Sequence, residues 1–381
     1  MIYEIVVICI VIYLYTSKQK NKFKNYRSNL KLTGSIYIYI LLIMVAFLLY
    51  IIYPGANNLL SFFNIESTGS SRIEEDLSTT AMIVRQILIS ATIFGYVLCL
   101  NYLYSEYKRN NSVIYVYASI FISLIQVSII IGERRSFQLY TTFAVLFLLL
   151  TLYKKHKKKI AIWVLVTAGT VLIGMSIYKF FYAFEYDSYI EAIMKSNSQS
   201  SDIANYLQLY LLGPQNIAKS IEFTANISPS ISNLFYDVSR SILGISFLVK
   251  DIGMPTSTNL FNTYIYGGLT STGHIISSIG YGYMYFGYIL APFFSATIIV
   301  FALFIETKLK NTSSFEYAYL LAYILIRSIL GVFTAITALL NVVSLMLISV
   351  GLVYFSARVT KVLLLKQRNN NWRIRRENIY D

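Results

Sequence analysis

The sequence predicts an all-α fold: a polytopic bundle of about nine transmembrane helices with one large extracytoplasmic loop. Of the 381 residues, 56% are hydrophobic and only 13% are charged, whereas soluble domains carry about 25% charged residues. Apolar runs of transmembrane length recur along the chain, and the basic residues collect between those runs. A chain so poor in charge cannot cover a water-facing surface, which excludes soluble enzymes and DNA-binding proteins.

Nine runs are apolar enough to cross a membrane, and a count of ten or eleven remains open. They lie near 2–16, 33–53, 81–104, 113–131, 137–153, 160–181, 284–305, 317–333 and 335–356. The first run has no small-residue cleavage site after it, so we expect a retained helix and not a signal peptide. The predicted division is N-terminal membrane helices over 1–181, the extracytoplasmic loop over 182–283, C-terminal membrane helices over 284–356, and a basic cytoplasmic tail over 357–381.

Basic clusters determine the predicted orientation. Lysine and arginine collect at 17–32, 108–109, 154–159 and 308–310, and in the tail after 356. Alternate threading of nine spans places all of these clusters on one side, and their positive charge identifies that side as the cytoplasm. The N-terminus is then outside and the C-terminus is cytoplasmic.

Cysteine usage and motifs argue against a metal or cofactor. Cys9 and Cys99 both lie within apolar runs, which makes a disulfide framework or a zinc site implausible. The chain has neither an H-E-x-x-H pattern nor a G-x-x-x-x-G-K-[ST] loop. We therefore expect no metal, no cofactor and no nucleic-acid partner.

Several arginines lie in predicted spans or outer loops, where the orientation rule expects few basic residues, and are candidates for function. Arg85 and Arg327 lie within predicted spans, where a charge needs a polar partner or a wet cavity. Arg134 and Arg135 lie in a tight outer turn at 132–136. Because a guanidinium group suits phosphate or carboxylate, ligand binding is one interpretation of this pair. Interfacial anchoring is the other.

The predicted loop begins with helices. We expect them at 203–212, with Gly213-Pro214 as the stop, at about 215–223, and at about 231–249. In the last of these, Asp237 and Arg240 stand three residues apart, close enough to pair. The loop therefore contains amphipathic helices as well as irregular backbone.

The stretch from 262 to 288, the glycine-rich segment, mixes Gly, Ser, Thr and Tyr with His274. It is too apolar for a free loop and too rich in glycine for a simple span. A re-entrant or half-inserted segment that lines a cavity satisfies both constraints. His274 is either a hydrogen-bonded structural residue or a functional group.

Three short motifs accompany this topology. They are Gly132-Glu133-Arg134-Arg135-Ser136, Tyr210-Leu211-Leu212-Gly213-Pro214, and Gly273-His274-Ile275-Ile276-Ser277-Ser278 followed by Tyr285-Phe286-Gly287. Together, motifs and topology resemble the oligosaccharide repeat-unit polymerases, the Wzy family of O-antigen and capsular polysaccharide polymerases. Such proteins commonly carry an acidic residue before the aromatic-Phe-Gly element, and residues 280–283 contain none.

The resemblance implies a metal-independent membrane glycosyltransferase in the bacterial cytoplasmic membrane. Such an enzyme uses oligosaccharide repeat units carried on undecaprenyl diphosphate at the outer face of the membrane. It transfers the growing glycan to the non-reducing end of the next lipid-linked unit, for capsule, O-antigen or another exopolysaccharide. A flippase and a chain-length regulator are the protein partners that the resemblance suggests, besides the lipid bilayer.

The implied catalytic residues are Arg134, Arg135, Arg240 and His274. Arginines at the membrane edge would stabilise the charge that develops on the diphosphate leaving group. His274 is the best titratable candidate to take the proton of the acceptor hydroxyl.

The implied substrate-binding residues are Arg85, Arg327, Tyr264, Tyr266 and Tyr281. The arginines would meet phosphate and the tyrosines would stack on sugar rings. For each tyrosine an interfacial aromatic belt is the alternative interpretation.

Other functions fit parts of the same pattern. A lipid-linked glycan ligase of similar topology would use the same arginines and His274 but deliver the glycan to a different acceptor. A lipid-linked oligosaccharide flippase generally has more spans and internal repeats, and we detect no repeated half. A membrane sensor or scaffold would need an output domain that we do not recognise in the sequence.

Overall fold

The computed structural model describes residues 2–19, 30–62, 79–131, 135–183, 213–227, 229–266 and 276–380, which are almost wholly helical. The predicted helix at 203–212, Arg134 and His274 lie outside the described residues.

The elements are listed here in chain order. The first are α1 (Ile2–Gln19), α2 (Ile36–Ile52), α3 (Ala56–Leu59), β1 (Leu60–Phe62), α4 (Thr79–Asn110), α5 (Ile114–Ser128), β2 (Ile129–Ile131), α6 (Arg135–Leu152) and α7 (Lys157–Ala183). They continue with α8 (Gly213–Asn226), α9 (Ile231–Ser241), α10 (Ile245–Val249), α11 (Ser257–Tyr266), α12 (Ser278–Leu290), α13 (Phe293–Asn311), α14 (Phe315–Gly331), α15 (Ile336–Met346) and α16 (Leu352–Tyr380). Short 3₁₀ turns cover Lys154–His156 and Lys250–Ile252, and a π-helical turn over Leu347–Gly351 joins α15 to α16.

These elements fall into two compact units, each assembled from separate stretches of the chain. The first unit contains α1, α8 to α13, the C-terminal part of α14 from Ile324, and α15. The second contains α2 to α7, the N-terminal part of α14, the π-helical turn and α16. Each unit therefore combines segments that are far apart along the chain.

The second unit is a helical bundle with a small antiparallel strand pair. Helix α4 packs against α2 and α5, and α7 packs against α5 and α6. Leu60 of β1 lies opposite Ile131 of β2. Polar groups inside the bundle pair with one another: the Ser119 and Tyr153 hydroxyls are 2.7 Å apart. Such pairing satisfies polar groups that the apolar surroundings would otherwise penalise.

The first unit contains the described parts of the predicted extracytoplasmic loop. Its hydrophobic core includes the fully buried side chains of Phe223, Phe261 and Tyr281. Helix α1 also belongs here, because the Ser295 hydroxyl donates to the Glu4 carboxylate at 2.5 Å. This bond supplies the partner that a carboxylate in an apolar helix requires.

The structure contains fewer straight spans than the sequence predicts. Thr80–Asn110 and Ile336–Gln367 are each long and apolar enough to cross a membrane. Two bent pairs meet the same requirement jointly, Phe137–Leu152 with Lys154–Ile173 (113°) and Ser278–Leu290 with Phe293–Asn311 (108°). The described residues thus hold two to four candidate spans. The predicted count of nine also includes α1, α2, α5 and α14, and it counts the bent pair α6 and α7 as two spans.

The apolar helices expose large hydrophobic side chains. On α2, Met44, Phe47 and Ile51 are each about 60% exposed, and Ile162 and Trp163 of α7 are also exposed. Soluble proteins rarely expose contiguous apolar surface of this kind. These helices identify the chain as a membrane protein.

Two predicted helices of the loop have different boundaries. Gly213 and Pro214 begin α8, since proline is well tolerated in a first turn, where its missing N–H has no partner to lose. The predicted helix at 231–249 is broken into α9 and α10, because Gly244 adopts a φ of +97° that no helix interior allows.

The predicted span at 284–305 is also broken, between α12 and α13. Gly287 adopts a φ of +70° inside α12, and the chain bends by 108° before α13. Gly282 lies against this bend, because a Cβ added there would stand 2.1 Å from the Ala291 carbonyl oxygen. The glycine-rich segment therefore ends in a bent helix pair, as a broken span or a re-entrant segment would.

Gly282→Ala is expected to destabilise the protein by about 1–3 kcal/mol, since the backbone of Ala291 must move to admit the methyl group. Thermal unfolding in detergent measures this effect. Gly169→Ala in α7 is the matched control, because a Cβ at Gly169 meets nothing within 4 Å. That control should be neutral or stabilising by up to about 1 kcal/mol. Equal effects of the two substitutions would contradict the close approach at Gly282.

Candidate functional site

A buried carboxylate in the first unit forms the candidate site. Asp237 of α9 is only 4% exposed. The Ser257 backbone N–H donates to its Oδ1 at 3.1 Å, and the Tyr281 hydroxyl donates to its Oδ2 at 2.8 Å. The hydroxyls of Ser257 and Tyr285 bond to each other. We call these four residues the Asp237 centre.

The start of α11 explains why Ser257 meets the carboxylate. The Thr256 hydroxyl accepts from the Asn259 backbone N–H at 3.2 Å, as a helix N-cap does. The Ser257 N–H, in the first turn, has no carbonyl partner within its own helix. Asp237 supplies the missing acceptor, and the positive end of α11 favours its negative charge.

Helix α12 contributes both tyrosines from one face. Tyr281 and Tyr285 are four residues apart, so their side chains are neighbours on a helix, and their ring centroids are 5.1 Å apart. The Ser277 side chain begins this helix by accepting from the Gly280 N–H. The order Tyr281, Tyr285 along α12 thus brings both hydroxyls to α9 and α11.

Apolar side chains surround the Asp237 centre. Phe223, Leu234, Phe261 and Phe294 are buried in one cluster with Tyr281. Burial raises the pKa of the Asp237 carboxyl above its usual range, and the hydrogen bonds from Ser257 and Tyr281 oppose this effect. A carboxyl with a raised pKa is a better proton acceptor near neutral pH than an ordinary aspartate.

The expected pair between Asp237 and Arg240 is wrong. The ion pairs found within the described residues do not include these two side chains. Instead, Arg240 Nη1 donates to the Ser246 carbonyl oxygen at 3.3 Å, because the turn at Gly244 brings α10 back toward α9. The donors to the Asp237 carboxylate are therefore a backbone N–H and a hydroxyl group. Arg240 is half-buried and lies beside the turn at Gly244.

The two predicted span arginines belong to different units. Arg85 of α4 is 7% exposed and lies in the second unit. Arg327 of α14 is 4% exposed, lies in the first unit, and donates to the Thr334 hydroxyl at 3.3 Å. The Thr334 carbonyl accepts from the Ser278 hydroxyl at 2.6 Å. Arg327 is thereby connected, through two hydrogen bonds, to the helix that contains Tyr281.

Tyr264 lies in an exposed polar group on α8 and α11. Its hydroxyl donates to Glu222 Oε1 at 3.1 Å and accepts from Asn226 Nδ2 at 2.8 Å. Lys219 pairs with Glu222 at 2.9 Å and lowers the pKa of that carboxyl. The ring of Tyr264 packs edge-on against Phe223. An aromatic ring among such donors and acceptors suits a ligand rich in hydroxyl groups.

The remaining predicted site residues are placed by backbone alone or not at all. Arg135 is the first residue of α6 and Tyr266 is the last residue of α11. Arg134 and His274 lie outside the described residues. The structure thus places five predicted site residues in the first unit, namely Arg240, Tyr264, Tyr266, Tyr281 and Arg327. It adds Asp237, Ser257 and Tyr285.

Sequence reasoning gave Asp237 no functional role, although a signal for it exists. Leu234, Asp237, Val238 and Ser241 recur at the spacing of one helix face. Leu234 and Val238 both belong to the core of the first unit. A carboxylate on that apolar face has to be buried, and a buried carboxylate has to find donors.

A second buried carboxylate, Glu316, has a different character. It is 2% exposed and belongs to the second unit. The backbone N–H groups of Thr33 and Gly34 donate to its Oε1 at 3.0 and 2.8 Å, the Tyr39 hydroxyl donates to Oε1 at 3.0 Å, and the Ser314 hydroxyl donates to Oε2 at 2.6 Å. Because these donors bond to both of its oxygens, the carboxylate holds the start of α14 against the loop before α2.

The chemistry available to the Asp237 centre is proton transfer and hydrogen bonding, since it contains one carboxyl and three hydroxyl groups. Within the described stretches, no group of three or more His, Cys, Asp or Glu residues is placed to hold a metal ion.

No protein-family model, curated protein or solved structure matches this chain.

Proposed function

We propose that this protein polymerises undecaprenyl-diphosphate-linked oligosaccharide repeat units at the outer face of a bacterial cytoplasmic membrane. In this proposal the chain crosses the membrane about nine times, with its N-terminus outside, its C-terminus in the cytoplasm and the loop at 182–283 outside. The clustering of lysine and arginine on one side of the threaded spans supports that topology. A flippase that delivers lipid-linked units and a chain-length regulator are its proposed partners.

The observation that carries the proposal is the buried Asp237 carboxylate, held by Tyr281 of the glycine-rich segment. The motif resemblance calls for an acid in residues 280–283, where the sequence has none. Asp237 of α9 supplies a carboxylate to that same helix from another part of the chain. Glycosyl transfer needs a group that accepts the proton of the attacking hydroxyl, and a carboxyl with a raised pKa suits this task.

The proposed reaction exchanges one bond to the anomeric carbon for another. The acceptor hydroxyl attacks the anomeric carbon of the growing chain, its proton passes to Asp237, and the bond to the diphosphate oxygen breaks. Undecaprenyl diphosphate leaves with the bonding electron pair. Arg134, Arg135 and Arg240 are proposed to stabilise its charge, and Arg85 and Arg327 to bind substrate phosphate.

Two donors occupy the Asp237 carboxylate, whose oxygens offer about four acceptor positions. In the proposed reaction the acceptor hydroxyl takes one of the remaining positions, so that Ser257 and Tyr281 keep their bonds. His274 remains the alternative proton acceptor in the same reaction. Tyr264 and Tyr266 are proposed to contact sugar rings close to the acceptor.

Reconstitution tests the proposal. The purified protein in liposomes, supplied only with lipid-linked repeat units from its host, should form a ladder of longer lipid-linked glycans and release undecaprenyl diphosphate. Deletion of the gene should leave single repeat units in the host. Persisting long chains in the deletion strain would overturn the proposal. Product formation that requires a separate, non-lipid-linked acceptor would indicate a ligase, and transbilayer movement without bond formation would indicate a flippase.

A further inference from the structure

A dense group of exposed cations lies at one end of the second unit. Five lysines surround the bend between α6 and α7, and two more cations end α4. The seven residues, which we call the basic patch, are Lys108, Arg109, Lys154, Lys155, Lys157, Lys158 and Lys159, and all are exposed.

Aromatic contacts bring the two parts of the basic patch together. The Tyr107 ring packs against Tyr153 with centroids 5.0 Å apart and against His156 at 6.4 Å. The Lys108 ammonium lies 4.7 Å from the centroid of the Tyr104 ring, and Lys159 donates to the Tyr117 hydroxyl at 3.3 Å. The two parts of the basic patch therefore lie next to each other.

Among the described residues, little counter-charge lies near the basic patch. Helices α5, α6 and α7 contain no Asp or Glu, and within the described part of the chain no ion pair involves a member of the basic patch. The nearby Glu106 accepts from Asn110 instead. Three of the lysines occupy the first turn of α7, where the helix dipole adds positive potential.

The helices next to the basic patch indicate the environment in which the patch lies. Trp163 lies about one turn beyond Lys159, and it is exposed together with Ile162 and Val166. Ile114 and Phe121 of α5 are exposed as well. Lysines next to exposed Trp and Tyr, at the end of apolar helices, are the pattern of a membrane interface.

We propose that the basic patch binds the phosphate headgroups of anionic phospholipids in the membrane leaflet that surrounds it. Charge complementarity carries the assignment: several cations in a row bind a surface of negative headgroups, and the exposed Tyr117 and Trp163 rest at the boundary of the acyl chains. This site is separate from the Asp237 centre and does not depend on the proposed polymerase reaction.

Thermal unfolding in neutral detergent micelles tests the proposal. Added phosphatidylglycerol should raise the unfolding temperature more than phosphatidylcholine does, and added salt should reduce the difference. The double variant Lys157→Gln/Lys158→Gln should need roughly ten- to 30-fold more phosphatidylglycerol for half of the stabilisation. These two lysines suit the test because Lys159, which bonds to Tyr117, is left in place.

The matched control is Lys308→Gln/Lys310→Gln, which removes two cations from α13. Lys310 pairs with Glu306 at 2.5 Å, so this variant should keep the full response to phosphatidylglycerol. Equal stabilisation by the two lipids, or an equal loss of response in both double variants, would overturn the proposal. Stabilisation by inorganic phosphate at the same phosphate concentration would show that the patch binds free phosphate and not lipid.

Discussion

Replacing Asp237 by asparagine is expected to slow glycan elongation by about 100- to 10,000-fold, the range that one general base supplies. Asparagine has nearly the same shape and can still accept from the Ser257 N–H, but it cannot take a proton from the acceptor hydroxyl. The measurement is the rate of ladder formation in liposomes containing the purified variant. Asp251→Asn is the matched control, because Asp251 lies in the same predicted loop and is exposed.

The same substitution should not destabilise the protein at neutral pH. Burial raises the pKa of the Asp237 carboxyl above its ordinary value of 3.8, so the carboxyl binds its proton more tightly in the folded state than in the unfolded state. As the pH rises through that raised pKa, the wild type has to keep a charged carboxylate buried and loses stability relative to Asp237→Asn. The gap in unfolding temperature in favour of the variant should be larger at pH 8 than at pH 4.

These two measurements separate chemistry from structure. A variant that is folded, at least as stable as the wild type and inactive identifies Asp237 as a functional group. If Asp237→Asn elongates glycan at the wild-type rate, Asp237 serves only as the acceptor at the start of α11, and the proton acceptor lies elsewhere. A gap in unfolding temperature that does not change with pH would contradict the raised pKa.

Glu316→Ala is expected to produce the largest loss of stability, about 3–5 kcal/mol. The substitution leaves the N–H groups of Thr33 and Gly34 and the hydroxyls of Tyr39 and Ser314 without their shared acceptor. Each buried donor left unsatisfied costs about 1–3 kcal/mol, reduced where water can enter. A strong decrease in unfolding temperature, or in the yield of folded protein, measures the effect.

The control for this prediction is Glu306→Ala in α13. Glu306 pairs with Lys310 on the surface, and exposed pairs contribute about 0–1 kcal/mol. Glu316→Gln, which keeps one acceptor oxygen, should fall between Glu316→Ala and the wild type. If Glu316→Ala and Glu306→Ala have the same small effect, the hydrogen bonds to Glu316 do not stabilise the second unit.

The sequence was informative where a single helix decides the outcome. Hydropathy located α4 and the run from α15 into α16, because twenty apolar residues in succession have no other stable conformation in lipid. It failed at 231–249 and 284–305, where one glycine with positive φ interrupts an apolar run. A glycine within a helical pattern does not by itself predict a break in the helix, since its backbone conformation depends on the residues that pack against it.

The sequence likewise predicted individual residues of the candidate site, but it did not predict the contacts between them. Five site residues predicted from their types and positions lie in the first unit: Arg240, Tyr264, Tyr266, Tyr281 and Arg327. The bond from Tyr281 to Asp237 joins residues 44 positions apart, and no local pattern specifies that pairing. The pair predicted between Asp237 and Arg240 was based on their spacing along one helix. The turn at Gly244 instead brings the Ser246 carbonyl oxygen to Arg240.

Composition alone identified a membrane protein, because a chain with 13% charged residues cannot present a polar surface to water. The spacing of its basic clusters gave the predicted orientation. Only the tertiary structure decided which of its carboxylates are buried and what each one meets. Two donors of the protein bond to Asp237, whereas at least four bond to Glu316. The difference arises from packing between distant segments, which brings donors to a carboxylate irrespective of their distance along the chain.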